Sequence, residues 1–277
     1  MIKLDSHQHF WRFDPVRDAW IDEDMRVIQR DFLPEDLKIQ LDKQSINGCI
    51  AVQSDQSEAD NAFLIELASL YPFIKGIVGW VDLQAENIEE TLQFYSQYKI
   101  MKGFRHVLQG ETNRALMLEP AFKRGIGLLK QFGYTYDLLI FRDQLVFASA
   151  LCTAFPEQRF VLDHIAKPDI RHQVIKDWTP GIQELAKNPN VYCKVSGMVT
   201  EANWQDWKNE DFFPYLDVVF ESFGIERLMF GSDWPVCNVA GGYTAAVNML
   251  RTYVSQFPED QQALFWGGNA ANFYGID

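Results

Sequence analysis

Two histidines, His7 and His9, stand one residue apart in LDSHQHFW, at the end of the first short apolar run of a 277-residue chain. On an extended strand, residues i and i+2 share a face, so both imidazoles point the same way. Such a pair can grip a metal ion or offer hydrogen bonds to one oxygen; it can also be two half-buried rings satisfied by backbone. A third histidine, His164, ends the run FVLDH, and an aspartate, Asp233, ends RLMFGSD. Three nitrogens and one carboxylate oxygen suit a single zinc ion, and they equally suit a general base set among hydrogen-bonding groups. Either chemistry requires elements remote in sequence to bring the four groups together.

The elements that could do so alternate along the chain. Short apolar or β-branched runs fall at Ile2–Ser6, Gly48–Gln53, Gly76–Val81, Met101–His106, Tyr134–Leu139, Arg159–Asp163, Asn190–Val195 and Arg227–Gly231. Between them lie stretches with helical spacing, such as Asn61–Tyr71, Asn87–Tyr98, Glu119–Gln131 and Pro180–Lys187. Strand–helix alternation implies right-handed crossovers and a parallel sheet. Eight such units predict a single-domain (β/α)8 TIM barrel over residues 1–277, and no G-x-G-x-x-G follows any strand to favour a dinucleotide fold. Barrel chemistry sits at the C-terminal strand ends, where all four candidate residues fall. A long loop after the first strand, rich in aromatics (Phe10, Trp11, Phe13, Trp20), leaves that same rim as either a lid or a plain structural loop.

Composition narrows the partners. The formal net charge is −13 with scattered Lys and Arg, which argues against nucleic acid and disfavours anions relative to a neutral small molecule. No apolar stretch has the length of a membrane span, and the N-terminus lacks a signal pattern, so a cytoplasmic protein is expected. Cys49, Cys152, Cys193 and Cys237 are widely spaced and read as reduced, mostly buried thiols. No G-x-S-x-G elbow is present to activate a serine. Exposed aromatic segments are compatible with a homodimer.

SHQH, KGFRHVLQ, LDHIAKP, VYCKVSGM, FGSDWPV and the closing GGNAANFYG together resemble the amidohydrolase superfamily. More narrowly they resemble its sugar-acid lactonase branch, the L-fuconolactone and L-rhamnonolactone hydrolases, with 2-pyrone-4,6-dicarboxylate lactonase more distant. The resemblance covers essentially the whole chain. It implies the HxH pair on strand one, His164 on strand six and Asp233 on strand eight. Binuclear members add a histidine on strand five, where this chain has Asp137 in YTYDLLI, so a two-metal site is not expected. One divalent ion, zinc by its donor set, at His7, His9, His164 and Asp233 stays compatible, although the branch is thought to work without metal.

The resemblance implies lactone hydrolysis. Asp233 would activate water and then protonate the leaving oxygen, with His7, His9 and His164 supplying donors or positive charge to the carbonyl. Sugars offer hydroxyls to polar groups and C–H faces to rings, which makes the remaining strand-end residues candidates for substrate binding. These are Gln53, Trp80, Asp82, Arg105, His106, Tyr136, Asp137, Lys167, Ser196 and Trp234. His172, in a charged loop, reads as surface. Two other readings stay open: a metal-dependent decarboxylase or C–C hydrolase of the same superfamily, and a non-catalytic sugar-acid binding protein.

Overall fold

The eight apolar runs become eight parallel strands whose order in the sheet is their order in the chain. In the computed structural model, which describes residues 2–276, they are β1 (Leu4–Gln8), β2 (Gly48–Val52), β3 (Ile74–Gly79), β4 (Met101–His106), β5 (Thr135–Leu138), β6 (Phe160–Leu162), β7 (Val191–Val195) and β8 (Leu228–Phe230). Helices alternate with them: α1 (Pro34–Gln44), α2 (Glu58–Leu70), α3 (Ile88–Tyr95), α4 (Pro120–Leu129), α5 (Leu145–Ala154), α6 (Thr179–Ala186), α7 (Phe213–Phe223) and α8 (Gly242–Val254). The short helices α9 (Glu259–Ala263) and α10 (Asn269–Tyr274) follow. The expected single-domain (β/α)8 barrel is therefore the fold, with Pro at the first turn of α1, α4, α6 and α7, where its missing N–H costs nothing.

β1 lies two residues later than the apolar run suggested, and a bulge accounts for its role. Leu4 pairs with Gly48 and Asp5 with Cys49, but Gln8 pairs with Ala51, so β1 uses three residues where β2 uses two. Leu4 packs with Ile50, Val78, Val161 and Met229 in the barrel interior, together with Phe273 and Tyr274 from α10. Strict alternation from Leu4 would send His7 outward. The extra residue restores it, and His9 with it, to the inside.

The barrel closes between β8 and β1 through the chain just beyond each strand. A parallel bridge joins Gln8 to Trp234. The Asp233 amide donates to His7 O at 2.8 Å and the His9 amide to Trp234 O at 2.7 Å. Below them Ser6 Oγ donates to Phe230 O, and the Ser232 amide to the buried Asp5 carboxylate. The seam thus fixes Asp233 directly beside the histidine pair.

Two expected substrate-binding residues face elsewhere. In β5 the interior goes to Asp137, so Tyr136 points outward and meets Phe122 of α4 and Phe160 edge-on. Trp234 is buried in an aromatic wall, with Phe10 at 6.2 Å and Phe32 at 5.3 Å between ring centroids. That wall anchors the long loop after β1, which Trp11 and Phe32 pin by paired backbone hydrogen bonds. Phe10, Trp11, Ile21, Ile28 and Phe32 of the loop are core, whereas Val16, Trp20 and Val27 are exposed. Among the described residues, no helix is long and apolar enough to cross a membrane.

Asn269 ties α10 to the barrel by donating to Ile225 O and Leu228 O, at 2.7 and 2.6 Å. Asn269→Ala leaves both buried carbonyls without their donor and should destabilise the fold by about 1–3 kcal/mol in urea titrations. An unchanged midpoint would show that α10 is held by packing alone.

Candidate active site

His164 and Asp233 both sit just past their strands in left-handed turns, at φ +52° and +56°. The turn after β6 continues through Ile165, Ala166 and Lys167, all with positive φ. A non-glycine residue held there costs of order 1–3 kcal/mol and persists only where its surroundings over-determine it. Two glycines make the necessary room. A Cβ on Gly197 would lie 2.5 Å from His164 Nδ1, and one on Gly231 would lie 2.7 Å from His7 Cβ.

These turns and the β1 bulge bring the four groups together. The rings of His7 and His164 lie 4.3 Å apart between centroids, and those of His7 and His9 5.0 Å. The Asp233 carboxylate faces His9 Nε2 at 3.5 Å and His164 Nε2 at 3.8 Å, long for hydrogen bonds. Donor atoms of His7, His164 and Asp233 all lie within 4.8 Å of one another.

Hydrogen-bond partners set the state of each ring. His9 Nδ1 lies 2.8 Å from Val52 O, a group that only accepts, so Nδ1 carries a hydrogen and Nε2 is turned toward Asp233. His164 Nδ1 meets Ser196 Oγ at 2.9 Å. Burial lowers His164 to about 4, against the opposing pull of Asp233 and Asp163. Burial alone would raise Asp233, but the charges that His164 and His7 carry when protonated hold its carboxyl far below the usual range. Near pH 7 the centre is an ionised carboxylate facing a neutral His164. His7 is likewise held unprotonated, by burial and by Lys194 and His164 against the pull of Asp163. Of the two roles expected of these histidines, donors or positive charge, burial disfavours positive charge on His7 and His164.

Permanent positive charge comes from below. Arg105 Nη1 lies 3.2 Å from both His7 Nε2 and Asp163 Oδ2, and its Nη2 donates to Gln53 O at 2.7 Å. Lys194, wholly buried, pairs with Asp137 and lies 3.1 Å from Asp163 Oδ1. Tyr274 of α10 donates to Asp137 from underneath, at 3.0 Å. Two buried cations thus meet two buried carboxylates, which is what keeps such charges tolerable away from water. Asp137, expected to hold substrate, lies within this network with its carboxylate engaged.

The other candidates divide. Arg105, Gln53 and Ser196 line the floor. Among the described residues, Arg105 Nε and Gln53 Oε1 are buried without a partner. Trp80 and His106 meet at the rim: Trp80 Nε1 donates to His106 Nδ1 at 3.3 Å, which leaves Nε2 to donate to Glu111 at 2.7 Å. Lys167 stands at the mouth, 3.7 Å from Glu201. Burial raises the Glu201 carboxyl, with Lys167 opposing and Asp233 adding to the rise. Asp82 is exposed and closes a turn by accepting from the Gln84 amide, and His172 pairs with Asp169 on the surface.

Asp163, Lys194, Glu111 and Glu201 were missed in the sequence. For Lys194 a signal existed, a lone charge inside the apolar strand run VYCKVSG. Asp163 was overshadowed by its neighbour His164. Glu111 and Glu201 lie in loops where the sequence offers no periodicity to aim them.

Comparison with known proteins accords with this geometry. The amidohydrolase family profile matches residues 4–276. The chain is 37% identical to an L-fucono-1,5-lactonase of Burkholderia multivorans over 286 aligned residues, covering 99% of this chain and 96% of that protein. It is 32% identical to an L-fucono-1,5-lactonase of Burkholderia ambifaria, covering 100% of this chain and 96% of the relative. A crystal structure of an amidohydrolase from Burkholderia multivorans with bound Zn superposes at a TM-score of 0.96, with 36% identity and all of both chains covered.

Gly231→Ala forces its new methyl against the His7 Cβ and Ser196 Cβ and should cost about 1–3 kcal/mol of stability, measured by urea titration. A midpoint equal to wild type would contradict the close approach of β8 to His7.

Proposed function

The chain belongs to the amidohydrolase family, and on that footing we propose that it is a hydrolase that opens a neutral sugar-acid lactone, of the L-fucono- or L-rhamnono- type, to the aldonic acid. The observation that carries this reading is the Asp233 carboxylate, ionised and buried, facing imidazole nitrogens at the C-terminal end of the barrel. Asp233 and His9 Nε2 are two acceptors side by side, suited to take the two hydrogens of one water and aim its oxygen at the lactone carbonyl. Asp233 accepts the proton as water attacks and returns it to the ring oxygen as the C–O bond breaks. With the Ser196 hydroxyl donating to His164 Nδ1, His164 Nε2–H is left to face the developing oxyanion, and Arg105 adds fixed positive charge from the floor.

The donor set also suits a divalent ion. His7, His164 and Asp233 offer two nitrogens and an oxygen within 4.8 Å of one another, and His7 would ligate through Nε2 only if that atom left Arg105. A zinc ion held there would polarise the carbonyl and acidify water. The hydrolysis above uses only groups of the chain.

A neutral polyol suits the mouth, where Lys167 is already balanced by Glu201 and where His106 donates its Nε2–H to Glu111. These carboxylates can accept sugar hydroxyls, and Trp80 offers a ring edge beside them.

Purified enzyme should release acid from aldonolactones well above the spontaneous rate and favour neutral over carboxylated lactones. No turnover across the stereoisomeric 1,4- and 1,5-lactones would remove the assignment. Asp233→Asn should lower kcat at least ~100-fold with the fold retained. Exhaustive chelation should leave turnover within about twofold; a loss restored by zinc would move the reading to metal-dependent chemistry. Because His164 titrates at about 4, its ring should stay unprotonated from about pH 8 down to pH 5 in 1H–15N spectra and gain its proton only below that. A His164 ring that gains its proton between pH 6 and 7 would contradict its neutral, buried state.

A further inference from the structure

Among the described residues, His7 is the one site histidine with buried charged side chains at both ring nitrogens, and donor and acceptor chemistry selects the place of its hydrogen, with Asp163 Oδ1 a buried acceptor that has no hydrogen bond of its own. Arg105 Nη1 lies 3.2 Å from Nε2, and an arginine N–H can only donate, so Nε2 must be the acceptor. The ring hydrogen then sits on Nδ1. Two groups lie 3.2 Å from Nδ1: the Asp163 carboxylate and the Lys194 ammonium. Only the carboxylate can accept.

We propose that Asp163 is a positioning residue: its carboxylate takes the Nδ1 hydrogen of His7 and so presents Nε2 as a fixed acceptor that aims the Arg105 guanidinium at the floor of the site. The linkage is double, since Asp163 Oδ2 also accepts directly from Arg105 Nη1 at 3.2 Å. Arg105 is thereby held by His7, Asp163 and Gln53 O, while its Nε–H remains without a partner among the described residues. A buried donor kept unpaired on a guanidinium fixed from three sides is suited to a ligand oxygen. Lys194 and Asp137 have a different duty. They bring one positive and one negative charge that cancel, so Lys194 reaches Asp163, itself paired with Arg105, without adding net charge to the barrel interior. A neutral imidazole oriented by a carboxylate on one side is how proteins commonly fix a histidine tautomer, and the same device would orient His7 toward a metal ion. The consequence for catalysis rests on the lactonase reading; the tautomer does not.

The test is long-range 1H–15N spectroscopy of enzyme labelled at its five histidines, with His7 assigned by its absence from a His7→Gln sample. At pH 7 the wild-type His7 should carry hydrogen on Nδ1 with an unprotonated Nε2. In Asp163→Asn that signature should be lost or mixed, with kcat for lactone opening down at least ~10-fold while KM changes less than about threefold, the split expected of a group that acts through a catalytic neighbour. The double variant Lys194→Met with Asp137→Asn removes opposite charges together and should keep the Nδ1–H signature, because Asp163 and Arg105 remain. It also serves if Asp163→Asn does not fold. A wild-type ring protonated on Nε2, an Asp163→Asn ring that keeps its tautomer with kcat unchanged, or loss of the signature in the double variant would each overturn the assignment. The spectra need no substrate, so a failure to open lactones would remove the proposed function and leave this test standing.

Discussion

A carboxylate taken out of water must find positive charge or donated hydrogens, or it will not stay ionised. Two carboxylates at the top of this barrel meet that demand in opposite ways. Asp163 is surrounded: Arg105, Lys194 and the His7 N–H all converge on it, and its charge is spent on structure. Asp233 is held ionised chiefly by His164, whose Nε2 lies 3.8 Å away, too far to consume its lone pairs. One carboxylate builds the floor; the other remains reactive above it. The β1 bulge, the left-handed turns at His164 and Asp233, and the room left by Gly197 and Gly231 are the backbone conditions for that division.

Much of this was legible in the sequence because it follows periodicity. Eight apolar runs separated by helical spacing specify a parallel barrel, and a barrel specifies which strand ends face one another. Strand-end position alone therefore singled out His7, His9, His164 and Asp233. Side-chain direction was less legible. Tyr136 and Asp137 are neighbours at one strand end, yet only one of any adjacent pair can face inward, and the apolar outer layer took the tyrosine. Trp234 follows Asp233 directly and for the same reason turns away, into the wall beneath the long loop. The bulge in β1 is written in no simple pattern; without it the alternation counted from Leu4 would place His7 on the wrong face.

The buried network was the least legible part. Lys194 and Asp163 come from adjacent strands, and neither acquires meaning until the strands are paired. The rim shows the same limit, since Glu111 and Glu201 reach His106 and Lys167 only through loop geometry. Lys167 is balanced by Glu201, whereas Glu111 keeps its negative charge beside His106, on a chain that carries −13 in total. A neutral ligand enters such a mouth with less opposition than an anion, and an anionic product leaves it more readily.

The central claim is that Asp233 acts on water and does not itself attack the lactone. A single turnover with enzyme in excess, run in water labelled with oxygen-18 and read by mass spectrometry, distinguishes the two. If water is the nucleophile, the carboxylate of the first product molecule carries one solvent oxygen and Asp233 stays unlabelled. An unlabelled first product, with the heavy oxygen recovered in the Asp233 carboxylate, would mean that Asp233 had formed an acyl intermediate and would contradict the account.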